Sequence, residues 1–183
     1  MDIHQGMILI GGTGRNIGKT TLAESLIRKL SRFVPVTAIK MANIHPRNFS
    51  AHGHDVRSFR HKISIRKETD SQGNKDSMRF LKAGAVDSWF IETKDEFLSE
   101  TFPEIEKILK KTRWSVCESN SLRNFIRPAL FIMVRGDAEP PAQKNVPGLL
   151  LKADAVVRAL DWNQFDNLVE RIVLGEGRFE LLR

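Results

Sequence analysis

The 183-residue chain predicts an α/β fold, a mostly parallel sheet covered by helices on both faces. Three observations carry this. Apolar runs of strand length alternate with segments of helical periodicity. Each strand-to-strand connection is long enough to cross over, as parallel pairing requires. The first apolar run enters a helix through a glycine-rich turn, and in open sheets ligands gather at that carboxyl edge. With 41% hydrophobic residues and no repeats or low-complexity segments, residues 1–183 read as one domain with a sizeable core.

Met7-Ile8-Leu9-Ile10 forms a short buried strand, and Leu22, Ala23, Leu26, Ile27 and Leu30 mark one face of a helix. Between them lies Gly11-Gly12-Thr13-Gly14-Arg15-Asn16-Ile17-Gly18-Lys19-Thr20-Thr21. A glycine-rich turn closing on Gly-Lys-Thr between strand and helix is the phosphate-binding P-loop layout, which narrows the class to P-loop NTPase architecture. Backbone N–H groups of Gly14, Arg15, Asn16, Ile17 and Gly18 can face an anion, and the helix start at Lys19, Thr20 and Thr21 adds its free N–H groups and dipole. Lys19 is expected between the β- and γ-phosphates, and the Thr20 hydroxyl on Mg²⁺. The strict pattern places Gly five residues before Gly18, where this chain has Thr13 and carries Gly12 one residue earlier. The surrounding strand, loop and helix, with Gly18-Lys19-Thr20-Thr21 intact, outweigh that departure.

Val34 to Ile39 predicts the second strand, with Lys40 at its carboxyl end. Residues 41–73 show little regular pattern and carry Arg47, Arg57, Arg60, Lys62, Arg66 and Lys67 with His45, His52, His54 and His61. This basic insertion reads either as a lid over the anion or as a solvated excursion. His52-Gly53-His54-Asp55 matches no standard zinc spacing and has no thiolate beside it, so loop histidines touching solvent or phosphate are expected rather than a metal site. Asp70-Ser71-Gln72-Gly73 spells the D-x-x-G that follows a strand in many GTPases; Asp70 is therefore a candidate group near Mg²⁺, although Ile63-Ser64-Ile65 makes a poor core strand.

Asp76 suits an N-cap for the helix carrying Met78 and Leu81. Asp87 to Ile91 predicts a third strand ending at Glu92. A helix is expected around Phe97 and Leu98, and Thr101-Phe102-Pro103-Glu104 reads as a capping box opening a second helix through Ile105, Ile108 and Leu109. Trp114 to Cys117 is a fourth strand closed by Glu118. An apolar strand ending in a carboxylate is the Walker B layout, in which the acid holds Mg²⁺ or its water; Glu92 and Glu118 both fit it, and an acid facing water fits equally. Ala129 to Val134 is the most apolar strand and is expected at the centre of the sheet, ending near Asp137. A loop rich in Pro and Lys follows, from Glu139 to Gly148. Ala153 to Val157 is a sixth strand, and Asp161 caps a last helix with Trp162, Phe165, Leu168, Val169 and Ile172 on one face.

The net charge of +7 suits an anionic ligand or partner. With no Tyr and no interleaved aromatic and basic motif, nucleic acid is not the expected partner. No apolar run reaches membrane-spanning length, the first residues lack a signal-peptide layout, and the lone Cys117 reads as a buried small hydrophobe, so a cytoplasmic protein is expected.

The turn resembles those of the SIMIBI class of NTPases, including dethiobiotin synthetase. It is most similar to the molybdopterin-guanine dinucleotide biosynthesis protein B (MobB) family. Ile39-Lys40, the segment Asn74-Lys75-Asp76-Ser77-Met78-Arg79 with Ala83-Gly84-Ala85, and Val116-Cys117-Glu118-Ser119-Asn120 carry the likeness, over roughly the first two thirds of the chain. Asn74, Ser119 and Met41-Ala42-Asn43 depart from the family's pattern. The resemblance implies a GTP-binding accessory protein of molybdenum cofactor biosynthesis, with weak Mg²⁺-dependent hydrolysis and a homodimer. It places Lys19 and Thr20 at phosphate and Mg²⁺, Glu118 near the metal, and Lys75 and Asp76 near the ligand. Molybdopterin or an enzyme of that pathway would be the partner. No N-K-x-D signature fixes guanine, so ATP stays open. With no positioned glutamine, and Arg15 the only candidate arginine finger, hydrolysis is expected to be slow. Two other readings are an ATP-dependent ligase or kinase of the dethiobiotin synthetase type, with 41–73 holding the second substrate, and a nucleotide-controlled module that docks a partner enzyme.

Overall fold

A computed structural model of the chain describes residues 2–43, 62–137 and 145–183. The lid-like part of the insertion, with His45, His52, His54, Asp55 and His61, lies outside the described residues. The elements run β1 Asp2–Gly12, α1 Lys19–Leu30, β2 Thr37–Asn43, β3 Ile63–Glu68, α2 Asp76–Lys82, β4 Asp87–Thr93, α3 Leu98–Lys110, β5 Ser115–Glu118, β6 Ile126–Arg135, α4 Val146–Leu150, β7 Ala155–Arg158, α5 Trp162–Arg171, β8 Ile172–Leu174 and β9 Phe179–Leu181.

Seven strands form one sheet in the order β3-β4-β2-β5-β1-β6-β7, and β8 and β9 form a separate pair. All neighbours in the large sheet pair parallel except β3, which lies antiparallel on β4. Alternation along β1 explains the layering. Ile8 and Ile10 point to a core shared with Leu22, Leu26 and Leu30 of α1, Phe80 of α2 and Phe165 and Leu168 of α5. Met7 and Leu9 point to the opposite core, with Leu98, Ile105 and Leu109 of α3 and Val146 and Leu149 of α4. Successive strand residues face opposite sides, so a run apolar at every position requires cover on both faces. The expected mostly parallel α/β sheet is what the chain forms.

Several expectations at the level of single elements are corrected. Ile63-Ser64-Ile65 does form a strand, β3, but at the sheet edge and half-buried, which is why its polar neighbours are tolerated. The apolar β6 is not central; it lies second from the other edge, and β5 occupies the middle. Pro103 opens no second helix. It is the sixth residue of a continuous α3, and the Thr101 hydroxyl donates back to Phe97 O at 3.0 Å instead of capping. Burial of Leu98, Thr101, Ile105 and Leu109 along one stripe outweighs the backbone bond Pro103 lacks. Lys75, not Asp76, is the N-cap of α2. Asp161 does cap α5, accepting from Gln164 N at 3.0 Å, but α5 stops at Arg171 and Ile172 turns into β8.

Candidate functional site

The turn between β1 and α1 lies at the carboxyl edge of the sheet, between the ends of β5 and β6. Two of its residues are left-handed, Asn16 at φ 55° and Gly18 at φ 92°. Such turns direct successive N–H groups into one concavity. The first backbone bond of α1 runs from Leu22 N to Gly18 O at 2.9 Å, so the amides of Lys19, Thr20 and Thr21 precede the helical ladder. Lys19 Nζ bends back to donate to Gly14 O at 2.6 Å. Arg15 and Asn16 are exposed, while Ile17 is half-buried.

Two anchors hold this turn. Asn120, two residues past β5, donates from its amide to Gly12 O at 2.8 Å and accepts from Gly12 N at 2.7 Å. The buried Thr13 donates its N–H to Val134 O at 3.0 Å, and its hydroxyl accepts from Gly136 N at 2.9 Å. Thr13, the departure from the strict pattern, is therefore a tie between the turn and the end of β6. Asn120 was not among the expected site residues; its position in the polar loop after Glu118 was the available signal.

Beside the turn, four side chains from four elements converge. Lys40 and Glu118 are register partners on β2 and β5, so they project from the same face. Lys40 Nζ lies 2.6 Å from Glu118 Oε1 and 2.7 Å from Asp76 Oδ2. The Thr20 hydroxyl donates to the other oxygen of Glu118 at 2.8 Å. Arg79 steadies the rim: its Nε and Nη2 donate to the two oxygens of Glu24 at 2.8 and 2.7 Å, and its Nη1 stands 3.7 Å from Asp76. Burial disfavours the charge on Lys40, but Glu118 and Asp76 outweigh it and hold the ammonium above the ordinary lysine value. Burial likewise disfavours the charge on Asp76; Lys40, Arg79 and the Thr20 hydroxyl prevail and hold this carboxyl below its ordinary value. This cation contact explains the missing cap, since the Asp76 carboxylate faces Lys40 instead of the α2 amides.

The cluster thus gathers Thr20, Lys40, Asp76 and Glu118 at one edge of the turn, while Lys19 bends over the turn to Gly14. Other expected residues fall elsewhere. Asp70 is exposed, and its carboxylate accepts from Gln72 N at 2.6 Å in a local turn. Lys75 is exposed at the start of α2, and Thr21 is half-buried in the first turn of α1. Glu92, the other strand-end acid, pairs with Arg66 at 2.7 Å. Cys117 is wholly buried, and burial raises its thiol pKa far above the ordinary value, which fits a packing role and not a nucleophile. Among the described residues, no group of three or more His, Cys, Asp or Glu is placed to hold a metal alone, and no helix is long and apolar enough to cross a membrane.

Comparison with family models, with curated proteins and with solved structures gives no match to this chain. The geometry of the turn and its cluster is what bears on function.

Proposed function

We propose that the chain is a Mg²⁺-dependent nucleoside triphosphate-binding protein that hydrolyses its nucleotide slowly. The observation that carries this reading is the meeting of Thr20 with Lys40, Asp76 and Glu118 beside a glycine-rich turn that has two left-handed residues and over which Lys19 folds back to Gly14 O. Helix-start amides and two lysines suit a polyphosphate, with charge-assisted contacts replacing its hydration. The Thr20 hydroxyl and the Glu118 and Asp76 carboxylates are hard oxygen donors, the kind Mg²⁺ prefers, and phosphate oxygens would complete the set. When bound, the ion would neutralise charge on the β- and γ-phosphates. Thr20 and Glu118 would orient it, Lys19 would lie along the β- and γ-oxygens, and Lys40 would turn from the carboxylates toward the terminal phosphate. Glu118 is engaged by a cation and a hydroxyl, so it suits holding an ion or its water better than abstracting a proton, which agrees with slow turnover.

The resemblance to the MobB family supports GTP as the nucleotide. It also supports molybdenum cofactor assembly as the setting, with molybdopterin or an enzyme of that assembly as partner. Titration calorimetry with GTP and ATP, with and without Mg²⁺, tests the core of the proposal. Binding that strengthens with Mg²⁺ and disappears in Lys19→Ala is expected. Equal binding by Lys19→Ala, or none by the unaltered protein, would overturn it.

A further inference from the structure

The turn has two flanks in the sheet order, and they differ in chemistry. On the β5–β2 flank stand Glu118, Lys40 and Asp76 with Thr20. On the β6–β7 flank the turn is tied to Gly136, and α5 closes over it: a Cβ built at Gly18 would lie 3.0 Å from Phe165 Cε2 and 3.7 Å from Leu160 Cδ2. Leu160 and Trp162 sit here, 56% and 51% exposed, and Trp162 meets Phe165 edge to face at 5.5 Å between ring centroids. Leu160 has φ 58°, a left-handed conformation in which glycine or asparagine is at ease and leucine is strained. An exposed, strained leucine beside an exposed tryptophan is an expensive way to make a turn, unless the side chains themselves are used.

On the reading above, Thr20 and Glu118 would hold a Mg²⁺ ion that neutralises the charge of the β- and γ-phosphates, so that end of the triphosphate would lie beside them. The candidate donors stand on the β5–β2 flank, so the α-phosphate and nucleoside would leave the turn on the opposite flank, toward β6 and β7. We propose that Leu160 and Trp162 form the apolar shelf on which the nucleobase lies. Every base has a flat apolar face, and stacking on an aromatic ring is tolerant of its identity. The shelf therefore raises affinity for GTP and ATP alike, and choice between them comes from groups other than this pair.

The inference rests on the proposed nucleotide site, and one experiment separates their failures. Affinities for GTP, ATP and inorganic tripolyphosphate are measured with Mg²⁺ for the unaltered chain, Trp162→Ala and Leu160→Gly. Trp162→Ala should lose about tenfold or more for both nucleotides, the scale of one stacked base, while tripolyphosphate binds as before. Leu160→Gly should lose affinity in the same direction while its thermal midpoint holds or rises, because the strained residue is relieved. That result excludes a mere folding defect. Unaltered nucleotide affinity in both variants, or equal affinity of the unaltered chain for nucleotides and tripolyphosphate, overturns the shelf and leaves the phosphate site standing. An unaltered chain that holds none of the three ligands overturns the phosphate site and the shelf with it.

Discussion

Glu92 and Glu118 follow the same pattern, an apolar strand closing on a carboxylate, and both are buried, at 0% and 3% exposed. They end in different chemistry because their neighbours differ. Glu92 on β4 faces the antiparallel edge strand β3, where Arg66 reaches it at 2.7 Å while stacking 5.3 Å from the Phe90 ring centre. Glu118 on β5 lies between β1 and β2, so it meets Thr20 from the glycine-rich turn and Lys40 from the next strand. One acid fastens an edge; the other stands at the mouth of the candidate site. The contrast teaches that topology decides the use of a strand-end acid.

The sharpest way to break this contrast is to remove the cation from the site acid. Lys40→Met leaves Asp76 and Glu118 facing one another without their ammonium. The metal-free protein should lose on the order of 3 kcal/mol, as for a broken buried pair. Mg²⁺ should restore part of that loss, which denaturant midpoints with and without the ion would show. Next in size, Glu118→Gln should weaken Mg²⁺-dependent nucleotide binding by about 10- to 100-fold, the usual cost of a lost metal-supporting group. Glu92→Gln should leave nucleotide binding alone and cost about 1–3 kcal/mol of stability through its weakened bond to Arg66. Calorimetry and chemical unfolding on the same two variants would separate the roles.

Thr13→Gly restores the strict glycine pattern and tests whether that position serves the ligand or the fold. It should cost about 1 kcal/mol by losing the bond to Gly136 and adding backbone freedom, with nucleotide affinity unchanged, as unfolding and calorimetry would report. The smallest effect expected is on pH dependence. The Asp76 carboxyl is held below its ordinary value, so its contribution is complete above the unfolded value, about 3.9, and fades as pH falls through the lower folded one. Lys40 is held above its ordinary value, so its contribution is complete below about 10.4 and fades as pH rises through the higher folded one. Both contributions should be complete between these limits. Asp76→Asn should flatten the acid limb, measured as the unfolding midpoint against pH.

Much of this was legible in local pattern. The runs around Ile8, Ile39, Trp89, Val116 and Phe131 mark the five interior strands of the large sheet, because burial between two helical layers leaves an apolar signature in sequence. Ala155-Val156-Val157 marks the edge strand β7 through its β-branched residues, although only Val157 is buried. β3 escaped because this half-buried edge strand is mostly polar, running Ile63-Ser64-Ile65 into Arg66-Lys67-Glu68. The β8–β9 pair escaped because Ile172 continues the helical spacing of Phe165, Leu168 and Val169, and only the tertiary turn after Arg171 breaks it. At the site, Lys19, Thr20 and Glu118 were readable from the turn and the end of β5, whereas Lys40, expected to end the second strand, is the middle residue of a β2 that runs on to Asn43. The pairing of Thr20 with Glu118 spans 98 positions, and no local rule specifies it. Asp70 and Asp76, one expected near the metal from its motif and the other near the ligand from the family resemblance, end in different places. The D-x-x-G pattern singles out Asp70, which bonds within its own turn, while α2 carries Asp76 to Lys40 across the sheet edge.

On the function proposed above, the residue 13–19 turn would hold a triphosphate whose metal sits by Thr20 and Glu118. A crystal structure with Mg²⁺ and a non-hydrolysable GTP analogue tests it most directly. The β-phosphate is expected among the amides of residues 14–19, the ion on the Thr20 hydroxyl, and Lys40 swung from Glu118 to the terminal phosphate. A turn and a Lys40–Glu118 pair left as they are now, with the analogue bound at another surface, would contradict it.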